Sequence, residues 1–402
     1  MRAKKCVVPL LLVSSFSMYS RVAEAATITA ASCSQADVQK AISSAGSGDT
    51  VQTPGPCSAS WSSTVTVASS QGVTINGRGN TTLTNAGFQV NQGSATTRIT
   101  GFTFTKSFAS SPYTVTTQGT TSSATARIDH NTFNDPSTDG TFIGTFGNAP
   151  VLIDNNSFVA CAACEIIHNM GVGISGWQDD VVPGSADMVF IEDNTFTNPS
   201  NFGVAAVQSY YGARTVFRHN TMNMAYVDQH GTCGNVYARW WEIYDNTFKN
   251  AGPGLSQYGN LRGGTGVIWG NTFSGNSSNA AFNLTEDTGN NGCGHIVAES
   301  VGGGYEPNTT SPTSSNRTHS PAYVWGNGSI PIQNGGGVTL NTDYLVSTSQ
   351  QATLTRCESA ADVAAGCPVS YNYVPYTYPH PLQGGGSAQA PTAPTDLTAA
   401  VQ

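Results

Sequence analysis

Six short strings in this chain share one template: IDHNTF at 128–133, IDNNSF at 153–158, IEDNTF at 191–196, FRHNTM at 217–222, IYDNTF at 243–248 and IWGNTF at 268–273. In each, an apolar residue is followed three positions later by Asn and five positions later by Phe or Met. Upstream, Ile75 and Ile99 fit the apolar position and Phe104 fits the aromatic one. The anchors Ile75, Ile99, Ile128, Ile153, Ile191, Phe217, Ile243 and Ile268 lie 24, 29, 25, 38, 26, 26 and 25 residues apart, and Ile296 and Val324 extend the series at 28 and 28. This period, with strand-like pieces, Gly-rich turns and no helical periodicity, predicts an all-β parallel solenoid. About three short strands per rung and about ten rungs are expected, stacked ~4.8 Å apart. The anchor and the aromatic residue should point inward. Asn131, Asn156, Asn194, Asn220, Asn246 and Asn271 should form an amide ladder at one turn. N-T-F also reads as a glycosylation sequon, but an Asn locked to the repeat phase fits a ladder better.

Composition agrees. Charged residues are 10% of 402, against roughly 25% in an ordinary domain, which argues against coiled coils and long surface helices. With a net charge of −8 and 16 Lys plus Arg, a nucleic-acid partner is not expected. Residues 1–25 read as a signal peptide: basic Arg2, Lys4 and Lys5, an apolar run from Cys6 to Phe16, and the A-x-A pattern Ala23-Glu24-Ala25. That run is too short to span a membrane, and no other segment is long enough. A secreted protein, extracellular or periplasmic, is therefore expected, as a monomer. Removal of Cys6 leaves eight cysteines, for which proximity favours Cys33–Cys57, Cys161–Cys164, Cys357–Cys367 and Cys233–Cys293 among the many open connectivities.

The ends have their own character. Ser34 to Ala45 (SQADVQKAISSA) carries helical spacing, with Val38 and Ile42 on one face, and reads as a capping helix. The aromatic-rich stretch 340–380 ends in YNYVPYTYPHPL. QGGGSAQAP at 383–391 is a linker. PTAPTDLTAAVQ resembles the first strand of a fibronectin type III module. The expected division is 1–25 signal peptide, 26–382 solenoid, and 383–402 linker plus the start of a truncated module.

The segments ASCSQADVQKAISSAGSGDTV…PGPC, YGARTVFRHN…DQHGT…EIYDNTF…RGGTG and YTYPHPL resemble the right-handed parallel β-helix proteins of the pectate-lyase-like superfamily, over roughly residues 27–382. The resemblance implies a role on extracellular polysaccharide. That superfamily holds lyases, hydrolases, esterases, epimerases and inert adhesins, so the site must be argued separately.

Three groups of residues are candidates. The position after each anchor stacks Asp129, Asp154 and Glu192 in a column, with Arg218 one rung further. Carboxylates about one rung apart repel unless a cation sits among them, and Ca²⁺ suits such oxygen ligands. The arrangement is similar to that of pectate lyases, although their catalytic motif is absent. The alternative is a charge ladder in which Arg218 neutralises Glu192. The second group is Tyr210, Tyr211, Arg214, Asp228, His230, Arg239, Glu242 and Arg262, dense for a charge-poor chain. Arginine forks suit a uronate carboxylate, His230 suits general acid–base work, and Tyr211 suits donation to a leaving oxygen. The alternative is a set of turn-stabilising pairs such as Arg239 with Glu242. The third group is His168, Trp177, Asp179 and Asp180, in the 38-residue interval. Trp177 could stack on a sugar or plug a loop.

The expected function is a lyase cleaving a uronate-containing polysaccharide by β-elimination. His230, Arg239, Arg214 and Tyr211 are assigned to catalysis, and Arg262, His168, Trp177, Tyr210 and Arg218 to substrate. Alternatives are an inverting glycoside hydrolase using Asp179 with Asp180 or Asp154 with Glu192, and a non-catalytic binding or adhesive solenoid. No HExxH, P-loop, G-x-S-x-G or dinucleotide motif is present. The Thr-x-Thr runs at 64–67 and 103–105, a pattern found in ice-binding solenoids, do not recur in phase along the sequence.

Overall fold

A computed structural model describes residues 24–106, 113–121, 123–135, 140–159, 165–199, 203–230, 237–250, 254–255, 257–275, 282–285, 301–305, 318–328 and 332–384. The expected signal peptide up to residue 23, the linker, the fibronectin-like start, and Cys161, Cys164, Cys233 and Cys293 lie outside these residues.

The chain winds as a parallel β-solenoid of about ten turns. One turn runs through Val204–Tyr210, Arg214–Arg218 and Thr221–Asn223, and the next begins at Ala225–Gln229. The first strand of each turn joins a 10-stranded sheet, and the second and third join a 19-stranded sheet. The anchors pair in register as Ile75↔Ile99↔Ile128↔Ile153↔Ile191↔Phe217↔Ile243↔Ile268. Ile268 then pairs directly with Val324. Ile296, expected as an anchor between them, lies outside the described residues.

The inside is built as the repeat requires. Phe104, Phe133, Phe158 and Phe196 stack on successive turns at centroid distances of 5.0, 4.9 and 4.9 Å. The amide ladder runs one rung beyond expectation, to Asn327. Each ladder backbone N–H donates to the next Asn Oδ1 at 2.9 to 3.1 Å, from Asn131 through Asn271. The side-chain amide donates to a carbonyl of a neighbouring rung, as in Asn220 Nδ2 to Ile191 O at 2.8 Å. The residue before each ladder Asn has positive φ: His130, Asn155, Asp193, His219, Asp245, Gly270 and Gly326. Asn, Asp, His and Gly tolerate that region best, which explains why this slot varies within a short list.

Helix Gln35–Ser44 caps the N-terminal end, with the Ser34 side chain accepting from Asp37 N and with Val38, Ala41 and Ile42 buried. Of the expected disulfides, Cys357–Cys367 is formed. Cys33 and Cys57 are neighbouring free thiols, and burial followed by the hydrogen bond from Cys57 pushes the Cys33 thiol up to about 11. Among the described residues, no helix is long and apolar enough to cross a membrane.

Candidate functional site

The outer face of the Arg214–Arg218 type of strand carries the acidic column, and the structure corrects its expected role. Asp129, Asp154 and Glu192 are all fully buried. Arg98 Nε donates to Asp129 at 2.7 Å, Arg127 grips Asp154 with bonds of 2.9 and 2.7 Å, and Arg218 Nε donates to Glu192 at 2.6 Å. A terminal strap, residues 373–384, lies over them. Arg127 donates to Leu382 O, Arg218 donates to the Tyr376 and Thr377 carbonyls, and the His380 N–H and Gln383 amide donate to Glu192. Arg218 also lies over the rings of Phe190, Tyr244 and Tyr378. Guanidinium groups occupy the place foreseen for Ca²⁺, and among the described residues no group of three or more His, Cys, Asp or Glu could hold a metal ion. These residues do not fit Ca²⁺, and Arg218 is not exposed to a substrate.

Trp177, Arg239 and Glu242 are buried as well. Trp177 is 0% exposed, its indole N–H donates to Tyr237 O at 3.1 Å, and Arg239 lies over its ring. It is a plug, not a sugar platform. Arg239 is fully buried and pairs with Glu358 from the C-terminal region, not with Glu242. Glu242 instead accepts from Gly184 N, Trp240 Nε1 and Tyr373 OH. Arg214 sits 3.8 Å from Asp179, and burial, then the charge of Arg239, lower its pKa. Asp180 accepts from Ala360 N at 2.9 Å, so Asp179 and Asp180 are committed to separate partners.

The outer face of the ten-stranded sheet is different. Its register stacks Gly144↔His168↔Gln208↔Asp228↔Asn260 in one outward column. The next outward column carries Phe146, Met170 and Tyr210, with His230 and Arg262 at the same position of the following turns. The ring of His168 is 5.8 Å from that of Tyr210, which is 5.0 Å from that of His230. The three rings form one row across three turns, and Tyr211 stands at its edge, 6.4 Å from Tyr210 and with φ of 56°.

The polar groups around the row are fixed unequally. His168 Nδ1 bonds Tyr113 OH at 3.1 Å, and its Nε2 bonds Glu165. Both nitrogens are thus occupied, and the ring is held edge-on. Tyr210 OH donates to Gln208. Burial, then the charges of Glu165 and Asp228, push the Tyr210 hydroxyl upward, so it keeps its proton at neutral pH. Arg262 Nη2 bonds both oxygens of Asp228 at 3.2 and 2.8 Å. Burial raises Asp228 to about 7 despite Arg262, and burial raises Tyr226 to about 12. His230 Nδ1 is buried with no hydrogen-bond partner among the described residues. A buried imidazole nitrogen without a partner is costly unless something else satisfies it.

The structure therefore brings His168, Tyr210, Tyr211, His230 and Arg262 together, buries Arg218, Arg239, Trp177 and the acidic column, and sets Arg214 beside Asp179. Glu165, Tyr113 and Gln208 complete the site and were not singled out from the sequence. Their signal is the column register of the ten-stranded sheet, and the anchor repeat does not reveal it.

No family model matches the chain, and no curated protein matches it in sequence. A solved structure of a mutant of the PL6-family alginate lyase AlyGC aligns at 11% identity with a TM-score of 0.33, covering 88% of this chain and 57% of that one. This chain thus spans a little over half the length of that lyase.

Proposed function

We propose that this protein is a secreted polysaccharide lyase acting on a uronate-containing polymer by β-elimination. The observation that carries the reading is the row His168–Tyr210–His230 on the outward side of the ten-stranded sheet, with His168 and His230 half-buried and Arg262 at the next turn. His230, a half-buried ring at the end of the row, takes the C5 proton. The electrons of the broken C5–H bond form the C4=C5 double bond as the C4–O bond breaks. Tyr210, held protonated by burial, gives its proton to the departing oxygen. Arg262, aimed by Asp228, offsets the uronate carboxylate charge and so makes C5 more acidic. His168, locked by Glu165 and Tyr113, supports Tyr210 and forms the wall of the site. The disulfide Cys357–Cys367 accords with an oxidising compartment.

A hydrolase reading has one observation in its favour. Asp228 at about 7 holds a proton in the range a general acid needs. Its engagement by Arg262 and Gln208 makes this the weaker reading.

The test is absorbance near 235 nm with pectate, alginate and glycosaminoglycan panels. A rise on one uronate polymer is expected, unaffected by EDTA, and reduced by about 10²–10⁴-fold in His230→Ala, the usual range for loss of a general base. New reducing ends without absorbance would establish the hydrolase. Neither signal on any polymer would leave a binding solenoid.

A further inference from the structure

The short third strands of the turns expose a second ordered face. Their register aligns Thr82, Thr103, Thr132, Ser157, Thr195, Thr221, Thr247 and Thr272 in one unbroken outward column, none of them buried. The threonines do recur in phase with the rungs, one hydroxyl residue per turn, with Ser157 taking the place of Thr on one of them. The sequence hides this because the second residue of the pair varies, as Asn134, Val159, Asn223, Lys249 and Ser274 show, and because Thr64 and Thr66 belong to the other sheet. Two residues on, the outward column reads Asn134, Val159, Thr197, Asn223, Lys249 and Ser274. The two columns bound a hollow of about 500 Å³, lined by Thr195, Thr197, Thr221, Asn223, Lys249 and Ser274 with others.

Threonine is favoured on exposed strands whatever its use, and Thr272 donates to Thr247 at 3.2 Å. That preference explains neither the hollow nor the cation in it. The chain carries a net charge of −8, yet the hollow, part of whose lining is Phe196 and Gly275, presents as polar groups only hydroxyls, the Asn223 amide and Lys249, with no carboxylate. Lys249 makes no ion pair among the described residues. Hydroxyls repeating every ~4.8 Å match an extended 1→4-linked glycan, in which one pyranose advances by about one rung.

We infer that this face is a second glycan-binding surface. It takes an extended, carboxylate-bearing polysaccharide along the solenoid axis, one sugar per turn, with Lys249 on a carboxylate. It shares the substrate class of the proposed lyase but needs no catalysis.

The test is retention in affinity electrophoresis through alginate, pectate and an uncharged glucan, with the full chain. Lys249→Glu and the strand-compatible pair Thr195→Val with Thr221→Val are compared with the unaltered protein. Retention by the acidic polymers is expected to weaken on the order of tenfold in each, about 1.4 kcal/mol. The absorbance rate on short uronate oligosaccharides should not change. Unchanged retention in both variants overturns the inference, as does equal retention on the uncharged glucan. Shaping of ice crystals without glycan retention overturns it in favour of a water-ordering face. Absence of turnover with retention lost in the variants would refute the lyase and leave this face standing.

Discussion

Two outward faces of the same solenoid carry polar columns, and they have opposite fates. On the strap face, Asp129, Asp154 and Glu192 pair with Arg98, Arg127 and Arg218, and the strap seals most of them from water. On the face of the ten-stranded sheet, His168 and Tyr210 are engaged, but His230 Nδ1 lacks a partner and the strap does not cross it. Both columns come from the alternation of a strand. Whether a column becomes structure or chemistry is decided by what covers it. The covering segment supplies the carbonyls and amides that bond Arg127, Arg218 and Glu192, and a bonded, dry charge cannot meet a substrate.

The sharpest way to break this contrast is to remove one arginine from each face. Arg218→Ala should cost about 3–5 kcal/mol, because it leaves Glu192 buried without its counter-charge and strips donors from the Tyr376 and Thr377 carbonyls. Arg262→Ala should cost only about 1–2 kcal/mol, because Asp228 can escape by keeping a proton, yet it should abolish turnover. Urea unfolding checks the two stabilities, and the absorbance assay checks the loss of turnover in Arg262→Ala. Equal losses of stability would show that the two faces are built alike.

The same contrast explains what could be read from the sequence. The anchors, the Asn ladder, the capping helix and one disulfide were legible because a solenoid repeats each local solution and its period fixes the register. The acidic column was located correctly, but its use was not. Nothing in IDHNTF or IEDNTF indicates that residues near 380 fold back some 190 positions to bond Glu192. Trp177 and Arg239 were misread for the same reason, since Tyr237 and Glu358 close over them. The open face was only half legible. Insertions fall between the anchor sheet and the ten-stranded sheet, so Gly144, His168, Gln208 and Asp228 lie 24, 40 and 20 residues apart while sharing one column. Glu165 and Tyr113 became visible only when that register was known.

Acid should test the strap alone. Burial, followed by the charges of Arg218 and Arg127, pulls His380 down to about 3 from an ordinary 6.5. The unfolded chain binds the extra proton between these values, so this contribution is present above about pH 6.5 and is lost as pH falls toward 3. It is on the order of a few kcal/mol over that window. His380→Phe keeps a ring against Phe190 and should flatten the acid limb of a melting-temperature profile. A limb of unchanged slope would mean that the strap is not held by a neutral His380.

The open face should show the opposite sign. Asp228 is raised from 3.8 to about 7, mainly by burial, so the folded chain holds the extra proton between these values. Its contribution to stability is full below about pH 4 and is lost as pH rises through about 7. The same proton sets the charge beside Arg262. Below pH 7 Asp228 is largely neutral and the guanidinium presents its full charge to a uronate. Above pH 7 the Asp228 carboxylate competes for it. KM for the uronate polymer should therefore rise a few-fold across neutrality, within the range of a single charge-assisted hydrogen bond of ~1.5 kcal/mol or less. Asp228→Asn, which keeps a hydrogen-bonding side chain and removes the titration, should hold KM low and flat over the same range. If KM in that variant still climbs through pH 7, the titrating group lies elsewhere on the face, and Arg262 is not the residue that reads the uronate.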